Sequence, residues 1–275
     1  MTHHATRRTV LAAAALAALA ATAPAAQAAD KPADRPAIVL VHGAWSNASA
    51  WDRVAAELRG RGFRVTAVNL PGHGPDATPP AQLTLAGYAD AVQAALPATG
   101  RAVLVGHSMA GMVISTVAER APEKLASLVY VAAYLPASGQ SLYQLSQTDA
   151  DSRVGRYWRQ ENPQAYSPAS IAPEGLLEVF CADCSPADQQ AVQQAHRPEA
   201  IPPLGTPVTL TAARFGSVPR HYVHTRQDNA VFYSLQQQML AAASGARRVT
   251  TLDTSHMPML TQPTAVADAI ESAAR

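Results

Sequence analysis

Ser108 stands in the run Val103-Leu104-Val105-Gly106-His107-Ser108-Met109-Ala110-Gly111, where a continuous apolar stretch meets small residues and a helical pattern follows. The run reads as a buried strand, a sharp turn with the serine at its apex, and a helix. That is close to the G-x-S-x-G pattern that exposes a nucleophilic hydroxyl at the end of a strand. Small residues on both sides let strand and helix approach, with Ala110 where the pattern has its second glycine and Gly111 following. The helix turns its positive end, about half an elementary charge, toward any anion formed there. The competing reading is a strand-to-helix turn capped by a serine.

A serine hydroxyl is a weak nucleophile until a base takes its proton. Nine histidines are present. His3 and His4 fall in an N-terminal leader, and His107 points off the turn in the opposite sense from the serine, as a packing residue. His73 sits in Pro71-Gly72-His73-Gly74-Pro75, a loop of the kind that lines an entrance. His256 follows a strand in Asp253-Thr254-Ser255-His256-Met257-Pro258 and precedes the last helix, so it is preferred as base over His196, His221 and His224. An acid must hold the imidazole in the right tautomer and stabilise its charged form. Asp228 lies between serine and histidine in chain order and is preferred to Asp253, which is only three residues before His256.

Attack on a carbonyl also needs two N–H groups aimed at the oxygen that becomes negative, and losing one costs about 3 to 4 kcal/mol of transition-state stabilisation. The backbone N–H groups of Ala44 and Met109 are assigned to this oxyanion hole, since Gly43 permits a tight turn in His42-Gly43-Ala44-Trp45. His42 itself reads as a hydrogen-bonded structural histidine. Cys181-Ala182-Asp183-Cys184 is a C-x-x-C pair with no second pair and only His196 near it, so no metal is expected. A short-loop disulfide and two free thiols stay open as alternatives. No cofactor is expected either.

Such groups work together only if a sheet carries them to one edge. Short, nearly continuous apolar runs alternate with helical patterns from Ala37 onward, which argues for a parallel sheet covered on both faces. The strands expected are Ala37–Val41, Phe63–Val68, Arg101–Val105, Ser127–Ala132, Arg220–His224 and Arg248–Leu252. Helices are expected at Ala50–Arg59, Leu85–Leu96, Met109–Arg120, Phe232–Ala243 and Thr264–Ala274, the first capped by Ser49 with Asp52 three residues on. Residues 135–218 break the rhythm with prolines and short helical pieces, too long for a crossover and therefore a lid. Its aromatic residues Tyr143, Tyr157, Trp158 and Phe180, with Trp45 and Met257, are expected to supply an apolar substrate pocket.

The chain has 275 residues, 48% of them hydrophobic and 15% charged, enough for a sizeable core. Twenty-one Lys and Arg against 20 Asp and Glu give a net charge of +1, no footprint for nucleic acid or an anionic membrane. Residues 1–28 read as an export signal of twin-arginine type: Arg7-Arg8, an apolar run from Val10 to Ala23, and Ala26-Gln27-Ala28 as cleavage site. The faint basic excess belongs to that leader. Residues 29–36 form a linker, and residues 37–275 the folded domain. A secreted or periplasmic location follows, with no membrane partner after cleavage.

The chain resembles the α/β-hydrolase superfamily, in the branch of plant salicylate-type methylesterases, hydroxynitrile lyases and related bacterial esterases. The resemblance rests on His42-Gly43-Ala44-Trp45 with Trp51, on Gly106-His107-Ser108-Met109-Ala110-Gly111-Met112, on Phe215-Gly216-Ser217-Val218-Pro219-Arg220 leading to Asp228, on Ser255-His256-Met257-Pro258-Met259-Leu260, and on Cys184-Ser185-Pro186 with Asp188. It implies a mostly parallel six-stranded sheet flanked by helices with an inserted helical lid. The lyases of that branch carry a threonine where this chain has Gly43 and a lysine where it has Met257, which makes ester hydrolysis the better reading. Ser108 argues against relatives that use an aspartate nucleophile. The expected substrate is a small uncharged alkyl or aryl ester; carbon–carbon bond cleavage on the same scaffold and non-catalytic ligand binding are the alternatives.

Overall fold

The computed structural model describes residues 1–2, 35–243 and 246–275. Residues 3–34, nearly all of the expected leader and most of the linker, lie outside them. Six strands form one sheet: β1 (Ala37–Val41), β2 (Val65–Val68), β3 (Ala102–His107), β4 (Leu125–Val131), β7 (Arg220–Thr225) and β8 (Ala246–Leu252). Their spatial order is β2-β1-β3-β4-β7-β8, and every neighbouring pair is parallel. Two further short strands, β5 (Trp158–Gln160) and β6 (Ala169–Ile171), pair antiparallel between β4 and β7.

The apolar runs have a direct structural reason. Successive residues of a strand face opposite sides, so a strand covered on both faces is apolar throughout. Val39, Val41 and Leu104 pack on one side, and Ile38, Leu40, Val103 and Val105 on the other. The first layer is closed by α2 (Leu85–Ala94), α3 (Ala110–Arg120) and α9 (Tyr233–Ala242). The second is closed by α1 (Asp52–Gly60), α10 (Pro258–Thr261) and α11 (Pro263–Ala273).

Between β4 and β7 run α4 (Leu142–Ser146), α5 (Val154–Tyr157), α6 (Pro173–Phe180), α7 (Pro186–Ala195) and α8 (Ile201–Gly205). The lid was expected to be helical, yet β5 and β6 sit within it, because Trp158 and Ile171 face each other across a ladder whose residues are too few to show a sequence period. Ser49 is not the cap of α1. A 3₁₀ turn at Ala48–Trp51 precedes that helix, and the Asn47 side chain caps the turn by accepting from the Ser49 N–H at 2.9 Å.

Candidate active site

β3 ends at His107, and the next residue turns the chain into α3. Ser108 holds φ +54°, the left-handed region that costs a non-glycine residue strain and is kept only where its surroundings over-determine it. Its N–H donates to the Val131 carbonyl at 3.2 Å, and its own carbonyl accepts from the N–H groups of Gly111 and Tyr134, both at 3.1 Å. The turn is thus tied to the chain leaving β4. A methyl on Gly106 would lie 2.8 Å from the Ala110 carbonyl oxygen, and one on Gly111 would lie 1.9 Å from that of Tyr134. Close approach therefore falls on positions 106 and 111, which explains how alanine fits at 110.

The loop after β1 meets this turn. A Cβ on Gly43 would come within 2.8 Å of the Ser108 Cβ and 2.9 Å of His107 Nδ1. Neither the Ala44 nor the Met109 N–H donates to a protein group among the described residues. Trp45, at φ +59°, is fixed through its indole N–H, which donates to the Ala169 carbonyl at 2.8 Å.

Asp228 and His256 come together from different strand ends. His256 Nδ1 donates to Asp228 Oδ2 at 2.8 Å, both residues being buried. With the proton on Nδ1, the neutral ring keeps a free lone pair on Nε2, the form a general base requires. The carboxylate also accepts from the N–H groups of Ala230 (2.8 Å) and Val231 (2.9 Å), the Thr225 hydroxyl (2.8 Å) and Gln236 Nε2 (3.3 Å). Four donors besides the imidazole stabilise a buried charge that would otherwise be costly. Asp253 is exposed and pairs with Arg226 at 3.2 Å, away from His256.

Two other histidines occupy places the sequence did not indicate. His107 does not point away from the site: its Nε2–H donates to the His256 carbonyl at 2.9 Å, and the two rings lie 4.6 Å apart. Burial first, then the neighbouring His256, holds His107 well below the usual histidine range. His73 does not line an entrance: it is buried and bonded to Glu199 at 2.9 Å. His42 fits its structural reading, with Nδ1 donating to the Gly43 carbonyl at 2.8 Å and Nε2 accepting from the Leu70 N–H at 3.1 Å. Burial, then the neighbouring His73, lowers its pKa to about 3.

A cavity of about 550 Å³ opens on Ser108. Trp45, Tyr143, Trp158 and Phe180 line it, as expected of the aromatic residues. Tyr157 does not; its hydroxyl donates to Glu178 at 2.6 Å instead. Met257 lines instead a separate cavity of about 50 Å³, together with His256 and His196. Tyr134 and Asp149 are among the lining residues that the sequence does not point to. Among the described residues Asp149 is the only charged side chain lining the Ser108 cavity; burial, together with the charges of Asp228 and Asp151, pushes its carboxyl above the ordinary range despite a hydrogen bond from the Phe232 N–H.

Cys181 and Cys184 are joined as a disulfide. Within their loop, Asp183 accepts from the Ser255 N–H at 3.0 Å and from the Ser255 hydroxyl. The loop therefore grips the residue before His256. The C-x-x-C spacing points to the sulfurs, while the contact with Ser255 belongs to the aspartate between them. Among the described residues no cluster of three or more metal-ligating side chains occurs.

Comparison with known proteins agrees with this architecture. A pyrethroid hydrolase of Sphingobium wenxiniae is 30% identical over 85% of this chain and 85% of its own length. Methylesterase 2 of Arabidopsis thaliana is 28% identical over 84% of this chain and 92% of its own. The crystal structure of a pyrethroid hydrolase from Sphingobium faniae superposes with a TM-score of 0.77 at 28% identity, covering 87% of this chain and 97% of that one. The model of the alpha/beta hydrolase family matches residues 38–269, and with a parallel sheet, a strained serine turn and an Asp-bonded histidine all inside that span, the chain belongs to this family.

Proposed function

We propose that this hydrolase cleaves uncharged alkyl or aryl carboxylic esters through an acyl-enzyme on Ser108. The observation that carries the reading is the buried 2.8 Å hydrogen bond between Asp228 and His256 Nδ1. It leaves Nε2 as the only ring position able to take a proton from a serine. Ser108 attacks the ester carbonyl, His256 accepts the hydroxyl proton and returns it to the departing alcohol, and Asp228 holds the ring and stabilises its charged form. The N–H groups of Ala44 and Met109, which bond to no protein group among the described residues, donate to the tetrahedral oxyanion. Water activated by His256 then attacks the acyl-enzyme, expelling the carboxylic acid and restoring Ser108.

A relative named as a methylesterase supports the bond class. The aromatic lining of the 550 Å³ cavity supports an uncharged substrate. The Arg7-Arg8 leader supports export before the enzyme acts. Turnover of p-nitrophenyl butyrate by the chain starting at residue 29 tests the chemistry: it is expected, and Ser108→Ala should abolish it. Undiminished turnover in that variant overturns the assignment.

A further inference from the structure

Glu199, between α7 and α8, has no solvent exposure. Its Oε1 accepts from the Tyr88 hydroxyl at 2.7 Å and the Ala200 N–H at 3.1 Å, and its Oε2 from His73 Nε2 at 2.9 Å. His73 Nδ1 lies 3.0 Å from the Pro71 carbonyl oxygen. With Glu199 ionised, its oxygens and the Pro71 carbonyl only accept, so both nitrogens of His73 donate and the pair is a buried imidazolium with its carboxylate. Burial opposes the charge on His73, but the Glu199 hydrogen bond and charge outweigh it and raise its pKa.

Two paths lead from this carboxylate residue to the loop that carries Ala44. Along the first, the His73 ring packs on His42 with centroids 4.9 Å apart, and His42 Nδ1–H donates to the Gly43 carbonyl. Along the second, the Glu199 main chain exchanges N–H to carbonyl hydrogen bonds with Ala169, 2.8 Å in each direction, and the same Ala169 carbonyl accepts from the Trp45 indole. Ala44 is the residue between the two anchored ends. Trp45 stands in a strained backbone region and persists there only while its surroundings hold it.

We propose that Glu199 is a positioning residue for ester hydrolysis: from the lid it fixes both ends of the Gly43–Trp45 segment and so aims the Ala44 N–H at the developing oxyanion. The inference rests on the reading of Ser108 as nucleophile and Ala44 as donor. It assigns the lid a part in transition-state stabilisation as well as in enclosing substrate. An N–H aimed at the tetrahedral oxygen acts on that species and hardly on the bound ester, so misaiming it lowers kcat and leaves KM.

The test uses the chain from residue 29, p-nitrophenyl butyrate, and an alkyl trifluoromethyl ketone, which forms a tetrahedral oxyanion on a serine. Glu199→Ala is expected to lower kcat 10- to 100-fold and weaken the ketone in parallel, with KM within threefold. Glu199→Gln should restore most of both, because its amide can donate to Nε2 of a neutral His73 and its oxygen can accept from Tyr88. Should Glu199→Ala fail to fold, Tyr88→Phe removes one donor from the carboxylate and carries the test at smaller size, a two- to fivefold loss in kcat and ketone affinity with KM kept. Ser108-dependent turnover with unchanged kcat and ketone affinity in Glu199→Ala or, failing that, in Tyr88→Phe overturns the proposal alone, as does a rise confined to KM. Turnover that survives Ser108→Ala removes the underlying reading, and the proposal falls with it.

Discussion

The imidazole of His107 donates to the carbonyl oxygen of His256 across 2.9 Å, so the residue preceding the serine holds the main chain of the histidine. One hydrogen bond of this kind is worth about 1 to 1.5 kcal/mol, roughly tenfold if it acts on the rate. His107→Ala is therefore expected to lower kcat by about that factor, with KM nearly unchanged, in steady-state assays on p-nitrophenyl butyrate. A variant as fast as the parent would reduce the contact to packing.

The serine turn makes a sharper steric prediction. Gly111→Ala would drive a methyl into the Tyr134 carbonyl, where only 1.9 Å is available to backbone that cannot swing away. We expect a loss beyond the usual overpacking cost of about 1 to 3 kcal/mol, and no folded protein in many preparations. Ala110→Gly, one residue earlier, should shift the melting temperature by only a few degrees, about 1 kcal/mol of helix propensity. Thermal unfolding of both variants checks the pair; equal effects would mean that the crowding is not specific to position 111.

Asp183→Ala removes the acceptor that grips Ser255 next to His256. A roughly five- to twentyfold fall in kcat is expected, about 1 to 2 kcal/mol of lost positioning. Reduction of the Cys181–Cys184 disulfide should act in the same direction, since it frees the loop that carries Asp183. Activity of the parent with and without dithiothreitol, compared with the same pair of assays on Asp183→Ala, tests the link. If the contact is the route, the reductant has little left to change in the variant.

Among the described residues the single charged side chain lining the Ser108 cavity is Asp149, an acid. A monoester of a dicarboxylic acid brings a second negative charge into that space, and like charges in a partly desolvated site repel by about 1 to 3 kcal/mol. The diester should exceed the monoester in kcat/KM by tenfold or more at pH 8, with the gap narrowing in Asp149→Asn. Because burial and the neighbouring acids raise the Asp149 carboxyl, the gap should also narrow as the pH falls and Asp149 takes up a proton.

Stability should respond to pH with two opposite signs. His73 has a folded pKa raised above its unfolded value of about 6.5, so its contribution is complete below that pH and fades as pH rises through the folded value. His42, His107, His196 and His224 are lowered by burial, so the unfolded chain binds protons more readily and stability falls as pH drops below about 6.5. Urea unfolding from pH 5 to 9 on the parent and on Glu199→Gln separates the two. The alkaline decline should disappear in the variant while the acidic decline remains.

Much of this molecule can be read before it is seen, and the exceptions share a cause. The strands Ala37–Val41 and Arg220–His224 announce themselves because burial on both faces demands unbroken apolar runs. The turn at Ser108 and the pairing of Asp228 with His256 are legible because a strand, a turn and chain order leave marks within a few residues of each. Glu199, Asp183 and Asp149 leave none: each acts on a partner far away in sequence, His73, Ser255 and the Phe232 N–H respectively. The orientation of His107 is hidden for the same reason, since its partner is a carbonyl 149 positions away. Contacts of that span are made by the packing of the lid and strand ends, which periodicity does not encode.

β4 and β7 are neighbours in the sheet, with Leu128 opposite Arg220, although the whole lid runs between them. The lid thus leaves at the C-terminal end of β4, and the chain rejoins the framework at the N-terminal end of its parallel neighbour β7. Its length and composition can drift without altering the register of any other strand pair, while Asp183 and Glu199 reach out of it to Ser255 and His73. Transplanting a relative's lid between residues 135 and 218 should therefore yield a folded protein readily, but an active one only when those two carboxylates are carried along. A scaffold of this kind can change what it accepts by exchanging one segment, and the two acids mark the minimum that an exchange must respect.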